Sequence, residues 1–387
     1  MQIPSEFESI RCFEDEEIKT SLKALFADKS FRSILRKEFK VVPIWLLYLY
    51  SKRFNSVEQI QRQLVVPIIK RILKKASDGI SSDFSAVPED KQDVIYLSNH
   101  RDIVLDSALL DYLLLSFNKK SVEIGIGDNL LIHPWIETLV RLNRSFIVKR
   151  SVTATELLRS SMTLSAYMRF VIQEKKSPIW LAQREGRAKD SDDRTQKSVL
   201  KMLTMSGEGS TIQRLQSLNI VPLTISYEYD PCDYLKAREF QQKRDNPDFK
   251  KSKQDDLINM KTGIFGYKGN INFHASPLLN DALSELDESQ PRNQLLDQIT
   301  SIIDDNIFKG YRIFPGNYVA LDLFNGDSRQ SNHYSAEEKK TFENYLESQL
   351  AKIVLPSPDW AFLREKMLLM YANPLINQLS VFKDGKE

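Results

Sequence analysis

The sequence predicts an α/β fold: a layered domain with a largely parallel central sheet flanked by helices, an N-terminal helical region, and a helical C-terminal extension. Three observations carry this. Short apolar runs of strand character recur at Val94 to Leu97, Val122 to Ile126, Ser145 to Lys149, Ile179 to Ala182 and Ile220 to Tyr227. Helical patterns alternate with them, which argues for parallel strands joined by crossovers. With 387 residues, 42% of them hydrophobic and 27% charged, the chain is long enough to cover such a sheet on both faces. In a sheet of this kind, functional groups sit where loops leave the C-terminal strand ends.

In chain order, residues 1 to 30 show no strong period. From Phe31 the pattern is helical, and the run Pro43-Ile44-Trp45-Leu46-Leu47-Tyr48-Leu49-Tyr50 lies between Arg36, Lys37 and Lys40 and the following Lys52 and Arg53. An apolar, Trp/Tyr-bearing segment flanked by cations suits either an interfacial membrane contact or a core helix with solvated ends. Val41 to Tyr50 is far shorter than the roughly 20 residues a membrane span needs. Ile60, Leu64, Ile68 and Ile72 then mark a basic amphipathic helix with Arg62, Lys70, Arg71, Lys74 and Lys75, which Pro67 should kink or break. Asp78 to Lys91 reads as a linker, giving residues 1–85 as an N-terminal helical region, 86–290 as the α/β domain and 291–387 as a mostly helical extension packed on it. Thr153-Ala154-Thr155-Glu156 fits a capping box for a helix running to Lys175-Lys176. The charged stretch 228–262 reads as a solvated helical or loop insertion, and Asn270 to Phe273 as one more short strand. Trp360 to Tyr371 reads as core, with lipid contact as its alternative.

The balance of 54 basic and 52 acidic residues gives no reason to expect a nucleic-acid partner. Cys12 and Cys232 have no zinc-ligand spacing and suggest no disulfide framework, and Met1 to Phe13 lacks the pattern of a secretory signal. A cytoplasmic protein is expected. No metal-ligand cluster or other cofactor motif is visible, and His133, His274 and His333 are expected to be structural or exposed.

Four blocks carry chemistry. The first is Ser98-Asn99-His100-Arg101-Asp102-Ile103-Val104-Leu105-Asp106, a histidine after a strand with two aspartates at a helix start. A histidine oriented by a carboxylate is the minimum apparatus for deprotonating a hydroxyl near pH 7. Asp102 can equally cap the helix. The second block runs from Gly127-Asp128-Asn129-Leu130 to Phe146-Ile147-Val148-Lys149-Arg150. The third is Trp180-Leu181-Ala182-Gln183-Arg184-Glu185-Gly186-Arg187, and the fourth Val221-Pro222-Leu223-Thr224-Ile225-Ser226-Tyr227-Glu228, whose proline is best placed near a sheet edge or the strand start. Lys149, Arg150, Arg184 and Arg187 thus stand at strand ends on the side where His100 emerges. Cations beside a general base suggest a phosphate-bearing substrate whose hydroxyl reacts.

The order of these blocks resembles the glycerolipid acyltransferase superfamily, in which a His–Asp block precedes a G-D/I-N-L and F-I-x-R block, an E-G-x-R block and a V-P-x-x-I-x-Y-E block. The resemblance spans residues 94 to 278, and the Gly127-Asp128-Asn129-Leu130 and Ile225-Ser226-Tyr227-Glu228 runs look most like the glycerol-3-phosphate acyltransferase branch. It implies His100 as catalytic base, Lys149, Arg150, Arg184 and Arg187 as phosphate ligands, and Asp128 and Asn129 in the acceptor block. Backbone N–H groups near Glu185 and Gly186, or a donor beside His100, would hold the oxyanion. Two positions depart from the family pattern. Leu105 stands five residues after His100, where the family has aspartate, leaving Asp106 favoured and Asp102 as alternative; Glu185-Gly186-Arg187 lacks the usual residue before the arginine, so Arg184 and Arg187 compete. The implied reaction moves a fatty acyl group from acyl-CoA or acyl-carrier protein to glycerol 3-phosphate or 1-acylglycerol 3-phosphate in phospholipid biosynthesis. Another lysophospholipid or an amino-acid lipid is the second acceptor class, and a thioester hydrolase is disfavoured by the lack of a G-x-S-x-G elbow. A lipid substrate implies peripheral attachment to the cytoplasmic face of a membrane, with 41–76 and 360–371 as contact candidates.

Overall fold

The structure is a computed structural model describing residues 2–38, 42–150 and 154–384; Lys40, Val41 and Thr153, part of the expected cationic flank, apolar run and capping box, lie outside these. Seven strands, β1 (Gly79–Asp83), β2 (Ile95–Ser98), β3 (Glu123–Gly127), β4 (Ser145–Val148), β5 (Ile179–Ala182), β6 (Ile220–Tyr227) and β7 (Asn270–Ala275), form one sheet in the order β1-β7-β6-β2-β5-β3-β4. The five strands β2 to β6 are mutually parallel, and β7 with β1 turns antiparallel at the β6–β7 pairing. The fold is the expected α/β one.

Alternating side chains separate two cores. On one face Ile95, Leu97, Ile179, Leu181 and Ile220 pack with Leu164, Met168 and Val171 of the Ala154–Gln173 helix and Leu295, Ile299 and Ile303 of the Arg292–Lys309 helix. On the other, Tyr96, Trp180, Val221, Leu223 and Ile225 pack with Leu109, Leu110 and Leu113 of the Leu105–Ser116 helix and Ile69 of the Val66–Ala76 helix. Helix 292–309 is therefore one of the layers that cover the sheet.

Several expectations change. The supposed linker contains β1, whose polar sequence GISSD pairs in parallel with β7, so a boundary at residue 85 cuts this strand from its sheet. Pro222 lies in an interior strand, third from its start, where the β6–β7 ladder ends: the paired positions begin at Leu223, and Ser276 N donates to the Pro222 carbonyl at 2.9 Å. Its missing N–H thus costs no ladder bond. Ahead of Pro67 the helical path widens into a π-turn over Gln61–Val65, then resumes as Val66–Ala76 with the proline in its first turn.

The stretch 228–262 is helical as expected and exposed over much of 244–261, but its first part is not solvated. Its Asp233–Asp245 helix buries Asp233, Leu235, Lys236, Ala237, Glu239 and Gln241. The charges are paired inside: Lys236 bonds Asp230, while Lys189 and, at 3.1 and 2.6 Å, Lys243 and Lys251 surround Glu239. Tyr371 of the Trp360–Asp384 helix donates to Asp233 at 2.7 Å. That helix also buries Leu363, Met367, Leu368 and Met370, which removes 360–371 as a continuous lipid-facing surface.

Candidate active site at the C-terminal edge of the sheet

All four blocks leave the same edge, at the C-terminal ends of β2 to β6. Beyond β2, Asn99 extends the pairing with β6 through its side chain, donating to the Ile225 carbonyl at 3.0 Å and accepting from Ile225 N at 2.8 Å. This pins the residue before His100. His100 Nδ1 lies 2.8 Å from Asp106 Oδ2, which also accepts from the backbone N–H of Arg101 at 2.7 Å and of Asp102 at 3.0 Å. Asp106 Oδ1 accepts from the Tyr227 hydroxyl at 3.1 Å. The fully buried carboxylate sits in the first turn of the 105–116 helix, where backbone dipoles favour negative charge. Four donors and a helix start replace its lost water.

With Asp106 as acceptor, Nδ1 carries the hydrogen and Nε2 keeps its lone pair. Nε2 meets no protein partner among the described residues, and the side chain is 14% exposed. Trp180 packs edge-on against the imidazole at 5.5 Å between ring centroids, and its own Nε1 is held by Ser98 Oγ at 2.9 Å.

Asp102 does not reach His100. Its Oδ1 accepts from Val104 N at 2.9 Å and Leu105 N at 2.8 Å, capping the helix. Burial, then the neighbouring Asp106, raises its carboxyl above the usual range. A Cβ on Gly263, in the Lys253–Phe265 helix, would collide with Asp102 Oδ2, so this helix backbone touches the loop directly.

The four predicted cations divide into two groups. Lys149, Arg150 and Arg184 line a cleft of about 740 Å³ between the ends of β4 and β5 and the Ala154–Gln173 and Lys197–Leu203 helices. Ile10, Leu157, Leu164, Val199 and Met202 supply apolar walls. Arg150 reaches Glu185 at 3.6 Å, and its backbone N–H meets Asp128 Oδ1 at 3.2 Å. Asp128 thus ties the β3 and β4 loops together, and Asn129 is exposed beside it. The buried Nε of Arg184 has no partner among the described residues. His100 itself does not line the cleft; Ala182 and Arg184, at the end of the strand next to β2, do.

Arg187 lies apart, with Nη2 3.2 Å from Asn259 Oδ1 and its charge acting on Asp102 and Asp230. Between the two, Gly186 adopts φ 70°, a left-handed turn that glycine adopts without strain. The Glu185 N–H is already engaged by Gln196 Oε1 at 2.8 Å, so it is not free for an oxyanion; that of Gly186 has no protein acceptor among the described residues.

Three participants escaped the motif reading. Arg159 adds a fourth cation to the cleft, Tyr227 holds Asp106, and Trp180 walls the imidazole. Arg159 looks in sequence like any exposed helix cation; Tyr227 and Trp180 were visible only as strand residues inside the blocks.

Residues 79–226 match the Acyltransferase family. Among solved structures, PlsC, the 1-acyl-sn-glycerophosphate (LPA) acyltransferase from Thermotoga maritima, is similar at 12% identity with a TM-score of 0.36, over 75% of this chain and 97% of that one. No curated protein matches. The family match thus covers the segment that runs from β1 into β6 and contains the His100–Asp106 pair, and this segment is similar to the Acyltransferase family.

Proposed function

We propose that this protein is an acyltransferase that moves a fatty acyl group from an acyl thioester, acyl-CoA or acyl-carrier protein, to a hydroxyl of glycerol 3-phosphate or 1-acylglycerol 3-phosphate. The observation that carries the reading is the 2.8 Å contact of His100 Nδ1 with a fully hydrogen-bonded Asp106, which leaves Nε2 without a protein partner among the described residues and so able to act as the base. Nε2 takes the proton of the acceptor hydroxyl as its oxygen attacks the thioester carbonyl carbon. The tetrahedral intermediate then collapses, the C–S bond breaks, and the imidazolium returns the proton to the departing thiolate. A base so placed supplies about 10²- to 10⁴-fold, and positioning supplies much of the remainder.

The cleft supports a phosphate-bearing substrate. Lys149, Arg150, Arg159 and Arg184 line it together with apolar side chains, which suits a molecule with a phosphate and a hydrocarbon part. Arg184 is the phosphate ligand favoured here over Arg187 because it lines the cleft and Arg187 does not, although Nη1 of Arg187, like Nε of Arg184, is buried without a partner among the described residues. Peripheral attachment at a cytoplasmic membrane face fits the exposure of Trp45 (61%), Leu46 (42%), Leu49 (52%) and Tyr50 (41%) on the Ile44–Ser51 helix. No helix among the described residues is long and apolar enough to cross a membrane.

The test is His100→Ala, assayed with matched acyl-CoA and acyl-carrier-protein donors against both acceptors. Turnover should fall at least ~10³-fold while acceptor binding, followed by calorimetry, survives. Acyl transfer retained by the variant would overturn the assignment.

A further inference from the structure

The Lys253–Phe265 helix has two dissimilar sides. Inward, Gly263 presses on Asp102 and Asn259 accepts from Arg187, so the helix is a wall of the loop that carries the dyad. Outward, Leu257 (43% exposed), Ile258 (38%) and Phe265 (66%) share one stripe with the exposed Lys261, and Tyr267 (47%) follows just past the helix end. At 100° per residue these helix positions fall within about a third of the circumference, opposite Asn259 and Gly263.

This helix packs against the Val66–Ala76 helix, and backbone bonds from Lys268 N to the Ala76 carbonyl and from Asp78 N to the Gly269 carbonyl, both 2.8 Å, fasten their ends. The partner helix adds Ile68, 54% exposed, and the exposed cations Lys70, Arg71, Lys74 and Lys75. None of these cations, nor Lys261, forms an ion pair among the described residues. Asp78, the exposed carboxylate here, takes the Tyr267 hydroxyl, and Asp256 is half-buried.

We infer that the outer face of the 253–265 helix, continued by the cations of the 66–76 helix, docks on a lipid surface carrying anionic headgroups. Bulky apolar side chains interspersed with unpaired lysines are what an interfacial helix presents to a bilayer. Lysine is depleted from the cores of protein–protein interfaces, so a protein partner fits the stripe less well. The purpose of the surface rests on the acyltransferase reading: a helix seated on lipid with one side and touching Asp102 with the other holds the dyad loop at the membrane where a lipid acceptor resides.

The test is the double variant Leu257→Glu/Phe265→Glu of the full chain, floated with phosphatidylcholine vesicles with and without phosphatidylglycerol. Wild type should favour the phosphatidylglycerol vesicles, and the variant should lose on the order of tenfold in vesicle affinity. Its melting temperature and its transfer to a dispersed short-chain acceptor should stay at wild-type levels, since both side chains point outward. Flotation unchanged by the substitutions, or no preference of wild type for anionic vesicles, overturns the surface. So does an equal loss of transfer to the dispersed acceptor, or a changed oligomeric state with flotation intact, which would assign the stripe to the site or to another protein copy. If wild type floats as expected yet transfers no acyl group to any acceptor, the enzymatic reading fails and the surface stands.

Discussion

In the loop after β2, both oxygens of Asp106 are engaged: Oδ2 faces His100 and two backbone N–H groups, and Oδ1 faces Tyr227. In the cleft after β4 and β5 the opposite holds. Lys149 and Arg159 have no ion pair among the described residues, the Nε of Arg184 is buried without a partner, and Arg150 reaches only the exposed Glu185. On the proposed reading, the first arrangement fixes a base before any substrate arrives, so little reorganisation is left for the reaction itself. The second sets four cations against the carboxylates of Glu6, Glu156 and Glu185, an excess of positive charge that on the proposed reading meets an anionic ligand.

Substitutions can break or sharpen this contrast. The largest effect is expected from Asp106→Asn, which sets an amide among four donors and disturbs the imidazole tautomer: kcat should fall ~10²- to 10⁴-fold in steady-state assays. Unaltered turnover would mean that His100 needs no carboxylate to orient it. Next, Arg184→Gln should raise the acceptor KM ~10- to 100-fold and leave the donor KM near wild type. Arg187→Gln should act instead on stability, because it leaves Asp102 and Asp230 with less compensating charge; a fall of roughly 2–4 °C in Tm with a small KM change is expected. If the two arginines exchange these effects, the phosphate lies on the other side of the loop. The smallest change is Tyr227→Phe, which removes one donor from Asp106 Oδ1 and should lower kcat about fivefold, in line with one hydrogen bond of about 1 kcal/mol.

The sequence-legible parts of this molecule are those in which a local pattern carries the signal. The runs at 179–182 and 220–227 are strands over those same residues because interior parallel strands are apolar on both faces. Gly79–Asp83 gave no such signal, being a polar edge strand whose partner, β7, lies far along the chain. The buried charges of 228–245 misled for a related reason: Lys236 and Asp230, or Glu239 among three lysines, look solvated until tertiary pairing is known. Within the site, the blocks located the strand ends, whereas the distribution of roles between Asp102 and Asp106 depended on how the turn enters the 105–116 helix. Residue spacing alone does not set that entry angle. The separation of Arg187 from Arg184 likewise follows from the left-handed turn at Gly186.

The β1–β7 pairing has a consequence for synthesis. Ser81 meets Ile271 across 190 residues of chain, so β1 leaves the ribosome long before its neighbour exists. Until β7 emerges, the nascent chain can assemble β2 to β6 with the His100 loop but leaves the β6 flank as an open edge, the kind of surface on which strands of other chains add. The last strand to be made therefore seals the sheet for both its N-terminal segment and its centre, and chains halted before residue 270 should associate with one another more than the complete chain does, as sedimentation would show.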